Sequence, residues 1–201
     1  MEAATGMAAP TAPIKVAAIC GSLLKGSYNR RLIRLAIEMS KETINGMEIE
    51  LVEVADLPLM NVDLEVDGAL ALEVEEFRQK ILQADAVLFA SPEYNYSVTP
   101  VLKNALDWAS RPPNVWAGKA AAIVSTGGGP GGGARAQYHL RQIGVFLDLH
   151  FVNKPEVMLS VHNPPGKFDD DGNLVDPKSK EKLRKLLISL HNFALRLRGP
   201  C

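Results

Sequence analysis

The chain has 201 residues, of which 47% are hydrophobic and 22% charged, and a formal net charge of -1. That length accommodates one domain with a well-buried core, and the near-neutral balance excludes a nucleic-acid or polyanion surface built on bulk charge. Two cysteines, Cys20 and Cys201, exclude a disulfide framework and fit a reducing compartment.

Residues 1–13 are mostly small, lack Arg and Lys and have no apolar core, so they match neither a signal peptide nor a transit peptide. They are predicted to be a flexible segment ahead of one domain over 14–198. No apolar run approaches the roughly 18 residues of a spanning helix, and no lipidation motif or polybasic stretch intervenes, so the expected location is cytoplasmic. A short apolar run over 14–20 ends at Gly21 and reads as a buried first strand. Leu32, Ile33, Leu35, Ala36 and Met39 repeat at helical spacing and predict a helix over 29–41. A second strand follows over 48–54, with Ile49, Leu51, Val52 and Val54. Residues 70–84 read as a helix whose apolar stripe is Leu72, Phe77, Ile81 and Leu82. The third strand is 86–90, followed by a helix over 99–109. A fourth strand covers 119–125, a helix 134–146, a fifth strand 151–158 and a closing helix 179–198. The long connections over 56–69 and 163–177 are expected as exposed excursions, the first as a flap beside the site. This alternation of strand and helix predicts an α/β protein: a parallel sheet with helices on both faces, in three layers.

In such a sheet, ligands sit at the carboxyl ends of the strands. The loop after strand one, Gly21-Ser-Leu-Leu-Lys-Gly-Ser-Tyr-Asn29, opens a helix. Its hydroxyls, backbone N–H groups and Lys25 suit an anion, although a plain turn capped by Ser27 or Asn29 has the same composition. It is neither a Walker loop nor Gly-x-Gly-x-x-Gly. The loop after strand three, Ser91-Pro-Glu-Tyr-Asn-Tyr-Ser-Val-Thr-Pro100, brings two tyrosines and an amide. Those groups suit a flat heteroaromatic ligand. The third loop, Ser125-Thr-Gly-Gly-Gly-Pro-Gly-Gly-Gly133, is either a flexible connection or a place where backbone closely approaches a ligand.

Taken together, Gly21, Ser22, Ser27 and Asn29, then Pro92-Glu-Tyr-Asn95, then residues 125–132, resemble the NADPH-dependent FMN reductase family. Within that family the pattern is most similar to the plant-type NAD(P)H:quinone oxidoreductases. The resemblance extends over 14–197 and includes the tail Phe168-Asp-Asp-Asp-Gly-Asn-Leu174. It implies a flavodoxin-like three-layer sandwich with a five-stranded parallel sheet in the order 2-1-3-4-5. It also implies FMN as cofactor, NAD(P)H as donor, quinone as acceptor and a homodimer or homotetramer. The implied reaction is a ping-pong hydride relay through the flavin N5, with no catalytic side chain. By the same resemblance, Ser22, Ser27, Asn29 and the Tyr28 backbone hold the FMN phosphate, to which Lys25 adds a charge. Pro92, Glu93, Tyr94 and Asn95 line the isoalloxazine, while Ser125, Gly127, Gly128 and Gly129 approach its pyrimidine side. Tyr94 and Tyr96 are expected to stack on substrate. Leu24 departs from the family arginine, and Lys25 beside it offers a point charge without a bidentate fork.

Other residues read more plainly. Lys103 and Asp107 are an i,i+4 surface pair, and Trp108 belongs to a core or subunit-contact face. Trp116 is expected to rim the site or meet a neighbouring subunit. His139, His150, His162 and His191 lack metal-ligand spacing. Residues 169–172 form a solvated turn rather than a calcium loop, since Lys167 and Lys178 occupy ligand positions. Cys20 reads as an inert core thiol. The competing readings of function are a flavodoxin-like electron carrier, a regulatory flavin-binding module, or a reductase acting on free flavin, azo dye or chromate. A net charge of -1 disfavours the acidic docking surface of a carrier.

Overall fold

The structure is a computed structural model that describes residues 12–199. Of the expected flexible segment only Ala12 and Pro13 fall within it, and Cys201 lies outside. Apolar, β-branched and alanine-rich runs form the central strands β1 (Ile14–Cys20), β3 (Ala86–Ala90) and β4 (Ala120–Gly127), buried on both faces as a covered parallel sheet requires. With β2 (Met47–Val52), β5 (His150–Phe151) and β6 (Val157–Ser160) they make one six-stranded sheet, and every pairing is parallel. The order is β2-β1-β3-β4-β5, with β6 also paired to β4.

The expected single fifth strand is therefore two. The chain runs from Phe151 to Val157 while advancing only from Ala121 to Val124 along β4. Pro155 in this stretch has no N–H for a ladder. The Arg141 guanidinium instead takes the Val152 carbonyl at 3.0 Å and Asn153 Oδ1 at 3.3 Å.

Helices α1 (Tyr28–Thr43) and α5 (Pro177–Arg198) cover one face of the sheet; α2 (Leu72–Leu82), α3 (Pro100–Ser110) and α4 (Ala134–Phe146) cover the other. Side-chain caps fix three starts: Ser27 for α1, Thr99 for α3 and Asp176 for α5, each accepting from the N–H three residues on. The apolar stripe of α2 differs from expectation. Leu72 and Leu82 are exposed, and Val74, Phe77, Arg78 and Ile81 face the core. Arg78 concealed this stripe. Its buried guanidinium donates to the carbonyls of Trp108, Arg111 and Pro113 at 3.2, 2.7 and 3.0 Å, closing the carboxyl end of α3.

Both tryptophans are fully buried. Trp116 packs between Phe77 and Phe89 and donates to the Leu106 carbonyl at 3.0 Å, so it neither rims a site nor faces a subunit. The loop position suggested exposure, but its large apolar ring fills the core under α2 and α3. Trp108 donates to the Pro58 carbonyl at 2.7 Å, and Asn104 brackets the same segment through Pro58 and Met60. Together with the Arg111–Glu65 ion pair, these bonds pin the 56–69 connection along α3. The later excursion folds back on α1, where Phe168 meets Tyr28 edge-on at 4.8 Å.

Candidate functional site

The strand order switches direction between β1 and β3, and the loops after β1, β3 and β4 leave the sheet together at that crevice. Gly21 starts the first loop, with its N–H on the Ala90 carbonyl at 2.8 Å. A Cβ on Gly21 would overlap the Ser91 side chain, so only glycine lets loops one and two lie this close. Ser22 is buried and accepts from the Leu24 N–H at 3.3 Å. Leu23, Leu24 and Lys25 are exposed. Among the described residues, the N–H groups of Tyr28 and Asn29 have no partner. They point along the positive end of the α1 dipole, a ready place for an anion.

The Asn29 side chain is committed elsewhere. Its Oδ1 accepts from the Thr126 N–H at 2.9 Å and its Nδ2 donates to the Thr126 carbonyl at 3.3 Å, all of it buried. Asn29 thus clamps the first loop to the end of β4. In the third loop the Ser125 hydroxyl is also internal, donating to the Gly132 carbonyl at 2.6 Å and accepting from Gln137 Nε2 at 2.9 Å. The glycine run divides in two. Gly132 and Gly133 have φ of +56° and +88° and lie hard against Leu159 and Ser125. Gly129 faces open space, and the N–H groups of Gly128, Gly129 and Gly131 have no partner among the described residues.

In the second loop, Tyr94 and Ser97 exchange both backbone hydrogen bonds, at 3.1 and 3.0 Å, across a two-residue turn. Asn95 and Tyr96 in that turn have φ of +49° and +67°. This is the geometry of a type I′ turn, which glycine normally supplies at the second position. A tyrosine held left-handed costs about 1–2 kcal/mol, and such strain gathers at functional sites. The turn thrusts both tyrosine rings into solvent, with Tyr94 51% and Tyr96 64% exposed.

Arg135 is the residue that sequence reading missed. Its Nη1 binds Glu93 Oε1 at 2.9 Å, its backbone N–H binds Glu93 Oε2 at 2.9 Å, and its guanidinium lies 4.0 Å from the centre of the Tyr96 ring. Glu93 therefore caps α4 and ties the second loop to the first turn of that helix. The available signal was a cation opening a helix, where the dipole disfavours it without a nearby carboxylate. Burial pushes the Cys20 thiol above its usual range, which leaves it unreactive beneath the first loop. Among the described residues, no group of three or more His, Cys, Asp or Glu side chains could hold a metal, and no helix is long and apolar enough to cross a membrane.

An open parallel sheet with phosphate-ready, ring-ready and glycine-rich loops converging at its switch point defines a flavodoxin-like flavin-binding protein. Residues 14–163 match the family model of NADPH-dependent FMN reductases, and the chain belongs to that family. It is 63% identical to an NAD(P)H:quinone oxidoreductase of Solanum tuberosum, over 94% of this chain and 96% of that protein. It is 50% identical to an NAD(P)H-dependent FMN reductase of Pseudomonas aeruginosa, over 92% of this chain and 98% of that protein. The solved structure of a flavoenzyme NAD(P)H:(acceptor) oxidoreductase from Paracoccus denitrificans superposes with a TM-score of 0.79. The two are 32% identical, over 90% of this chain and 97% of that one.

Membership brings FMN and a reduced nicotinamide nucleotide to this protein. The donor set fits FMN: unpartnered N–H groups at the α1 terminus for a phosphate, an aromatic turn for a ring, and open glycine N–H groups for carbonyl oxygens. Lys25 is the only cation among residues 21–27.

Proposed function

We propose that the protein is an FMN-dependent NAD(P)H:quinone oxidoreductase that reduces quinones to hydroquinones by two electrons. The observation that carries this reading is the meeting of three loops at one sheet edge, each with N–H groups that have no partner among the described residues. The acceptor rests on relatives whose names specify a quinone. In the overall reaction NAD(P)H gives up a hydride, and the quinone takes up two electrons and two protons, one of them from solvent. Bound FMN supplies the hydride exchange between the two substrates.

The chain's own residues bind and orient. Ser22, Lys25, Ser27 and the N–H groups of Tyr28 and Asn29 hold the phosphate at the helix terminus. Pro92, Glu93, Tyr94 and Asn95 line the ring. The N–H groups of Gly128 and Gly129 donate toward the ring edge that becomes negative on reduction, as donors do in an oxyanion hole, and Gly127 at the end of β4 brings the backbone up to that edge. Ser125 and the Asn29 amide keep the loops in register. Tyr94 and Tyr96, already turned outward, stack on the substrate ring and hold it at reacting distance. Glu93 is held by Arg135 and takes no part in proton transfer.

We take residues 14–198 as the folding unit, the cytoplasm, where reduced nicotinamide nucleotides are at hand, as its location, and a homodimer or homotetramer as its state. Exposed Leu59, Val62 and Val66 in the connection along α3, with Leu72 at the start of α2, support self-association. Light scattering at the mass of a 21.8 kDa monomer would remove that part of the reading. Initial rates with NADPH and benzoquinone varied together test the whole. Parallel double-reciprocal lines are expected of a shared site; NADPH oxidation no faster with quinone than without it excludes a quinone reductase.

A further inference from the structure

We propose, on the reading of the site as that of a quinone reductase, that Ser97 and His139 relay to the bound quinone the solvent proton that its reduction consumes. Ser97 is the group that touches the quinone, and His139 acts through it. Ser97 closes the strained aromatic turn, its backbone exchanging hydrogen bonds with Tyr94 at 3.1 and 3.0 Å. The neighbouring serine and threonine hydroxyls are spent on structure: Ser91 donates to the Pro92 carbonyl at 3.0 Å, and Thr99 caps α3. The Ser97 hydroxyl meets an imidazole instead. Its Oγ lies 2.9 Å from Nδ1 of His139 and has no other partner among the described residues. Fastening does not account for this contact, because Glu93 and Arg135 already join the second loop to α4 one turn earlier.

His139 is exposed on α4, so its Nε2 meets solvent while its Nδ1 meets Ser97. A groove of about 390 Å³ between α3 and α4 opens at Ser97, where the turn ends, and is lined by Thr99, Lys103, His139 and Gln142 among others. A quinone stacked on Tyr96 lies beside the Ser97 hydroxyl at the mouth of this groove. When a hydride reaches one carbonyl of that quinone, the displaced electron pair leaves the opposite oxygen as a phenolate. That oxygen takes the Ser97 proton, Ser97 takes the proton on His139 Nδ1, and His139 takes one from solvent at Nε2. The sum is NAD(P)H, quinone and one proton giving NAD(P)+ and hydroquinone. The charged groups around this pair are not free to do the same. Arg135, 4.0 Å from the centre of the Tyr96 ring, keeps its proton as a guanidinium does. Glu93 is tied to Arg135 at 2.9 Å, and Lys103 to Asp107 at 2.7 Å. Imidazole is the side chain suited to exchanging protons near neutral pH.

The test compares two acceptors on the FMN-loaded protein with NADPH as donor. Benzoquinone takes up protons with its electrons, whereas ferricyanide takes electrons alone. A positioned proton donor contributes about 10²–10⁴-fold, part of which solvent replaces when the donor is lost. The ratio of kcat/KM for benzoquinone to that for ferricyanide should therefore fall ~10- to 100-fold in Ser97→Ala and in His139→Ala. That ratio is independent of how much variant folds or loads FMN. His139 stands at the surface, so added imidazole enters the space it leaves. Imidazole should restore the ratio in His139→Ala and not in Ser97→Ala. A ratio unchanged in either variant, or a loss in His139→Ala that imidazole does not reverse, overturns the relay while leaving the quinone reductase in place. Reduction of ferricyanide but not of benzoquinone by the unsubstituted protein defeats the quinone reading itself, and the relay with it.

Discussion

Asn29→Ala removes the side chain that joins the phosphate-ready loop to the glycine-rich loop. Asn29 and Thr126 are both almost wholly buried, and the amide meets both the N–H and the carbonyl of Thr126. Its loss leaves one buried donor and one buried acceptor unpaired, at about 1–3 kcal/mol each. Water entering the small space left behind recovers part of this, so a net loss of about 2–4 kcal/mol is expected. A typical domain has about 5–15 kcal/mol in reserve, so the variant still folds. Urea denaturation without FMN measures the loss as a lower midpoint at unchanged slope. Titration with FMN, followed by flavin fluorescence, measures the second consequence. With loops one and three free to separate, the dissociation constant rises at least about tenfold, equivalent to about 1.4 kcal/mol. A stability loss below about 0.5 kcal/mol together with an unaltered FMN affinity refutes the clamp.

Leu24→Arg restores a fork beside Lys25 on the exposed first loop, and FMN affinity is expected to rise about tenfold by equilibrium titration, against no change if the loop does not meet the phosphate. Arg78→Met leaves three carbonyls at the end of α3 without their donor, so calorimetry should show a loss of about 3 kcal/mol or more. Tyr96→Gly relieves about 1–2 kcal/mol of left-handed strain and forfeits about 0.5–1 kcal/mol of the Arg135 stacking. The melting temperature should therefore hold or rise while kcat/KM for quinone falls; a lower melting temperature with unchanged kinetics contradicts the strain argument. Glu53 is held below its ordinary value of 4.5 by the Arg30 guanidinium, at 2.6 and 2.7 Å. A depressed carboxylate stabilises the fold fully above that ordinary value and loses its contribution as pH falls below it. The difference in denaturation midpoint between the unsubstituted protein and Glu53→Gln should accordingly shrink from pH 6 to pH 3.

The layers were legible because β1, β3 and β4 are short apolar runs separated by helical patterns, and the strand order came from the family resemblance that the motifs of three loops carry. What escaped was set by polar groups working inside the protein. Arg78 sits in the apolar stripe of α2, so hydrophobic periodicity selected Leu72 and Leu82, which face solvent. Trp116 lies in a connection, yet its position is decided by the space between Phe77 and Phe89. The edge strand divides where Arg141 satisfies the Val152 carbonyl that a continuous ladder would otherwise use, a long-range effect with no local signature. In the site, residue types predicted where the loops gather but not how each side chain is used. Asn29 and Ser125 turned inward as fasteners, and Arg135 joined the site through Glu93 and Tyr96, which are distant in sequence.

The most direct test is to load the purified protein with FMN under anaerobic conditions, add one equivalent of NADPH and then one of benzoquinone, recording the visible spectrum throughout. Bleaching of the flavin absorbance by NADPH and its full return with quinone is the predicted result. A flavin that binds but keeps its oxidised spectrum under NADPH would contradict it.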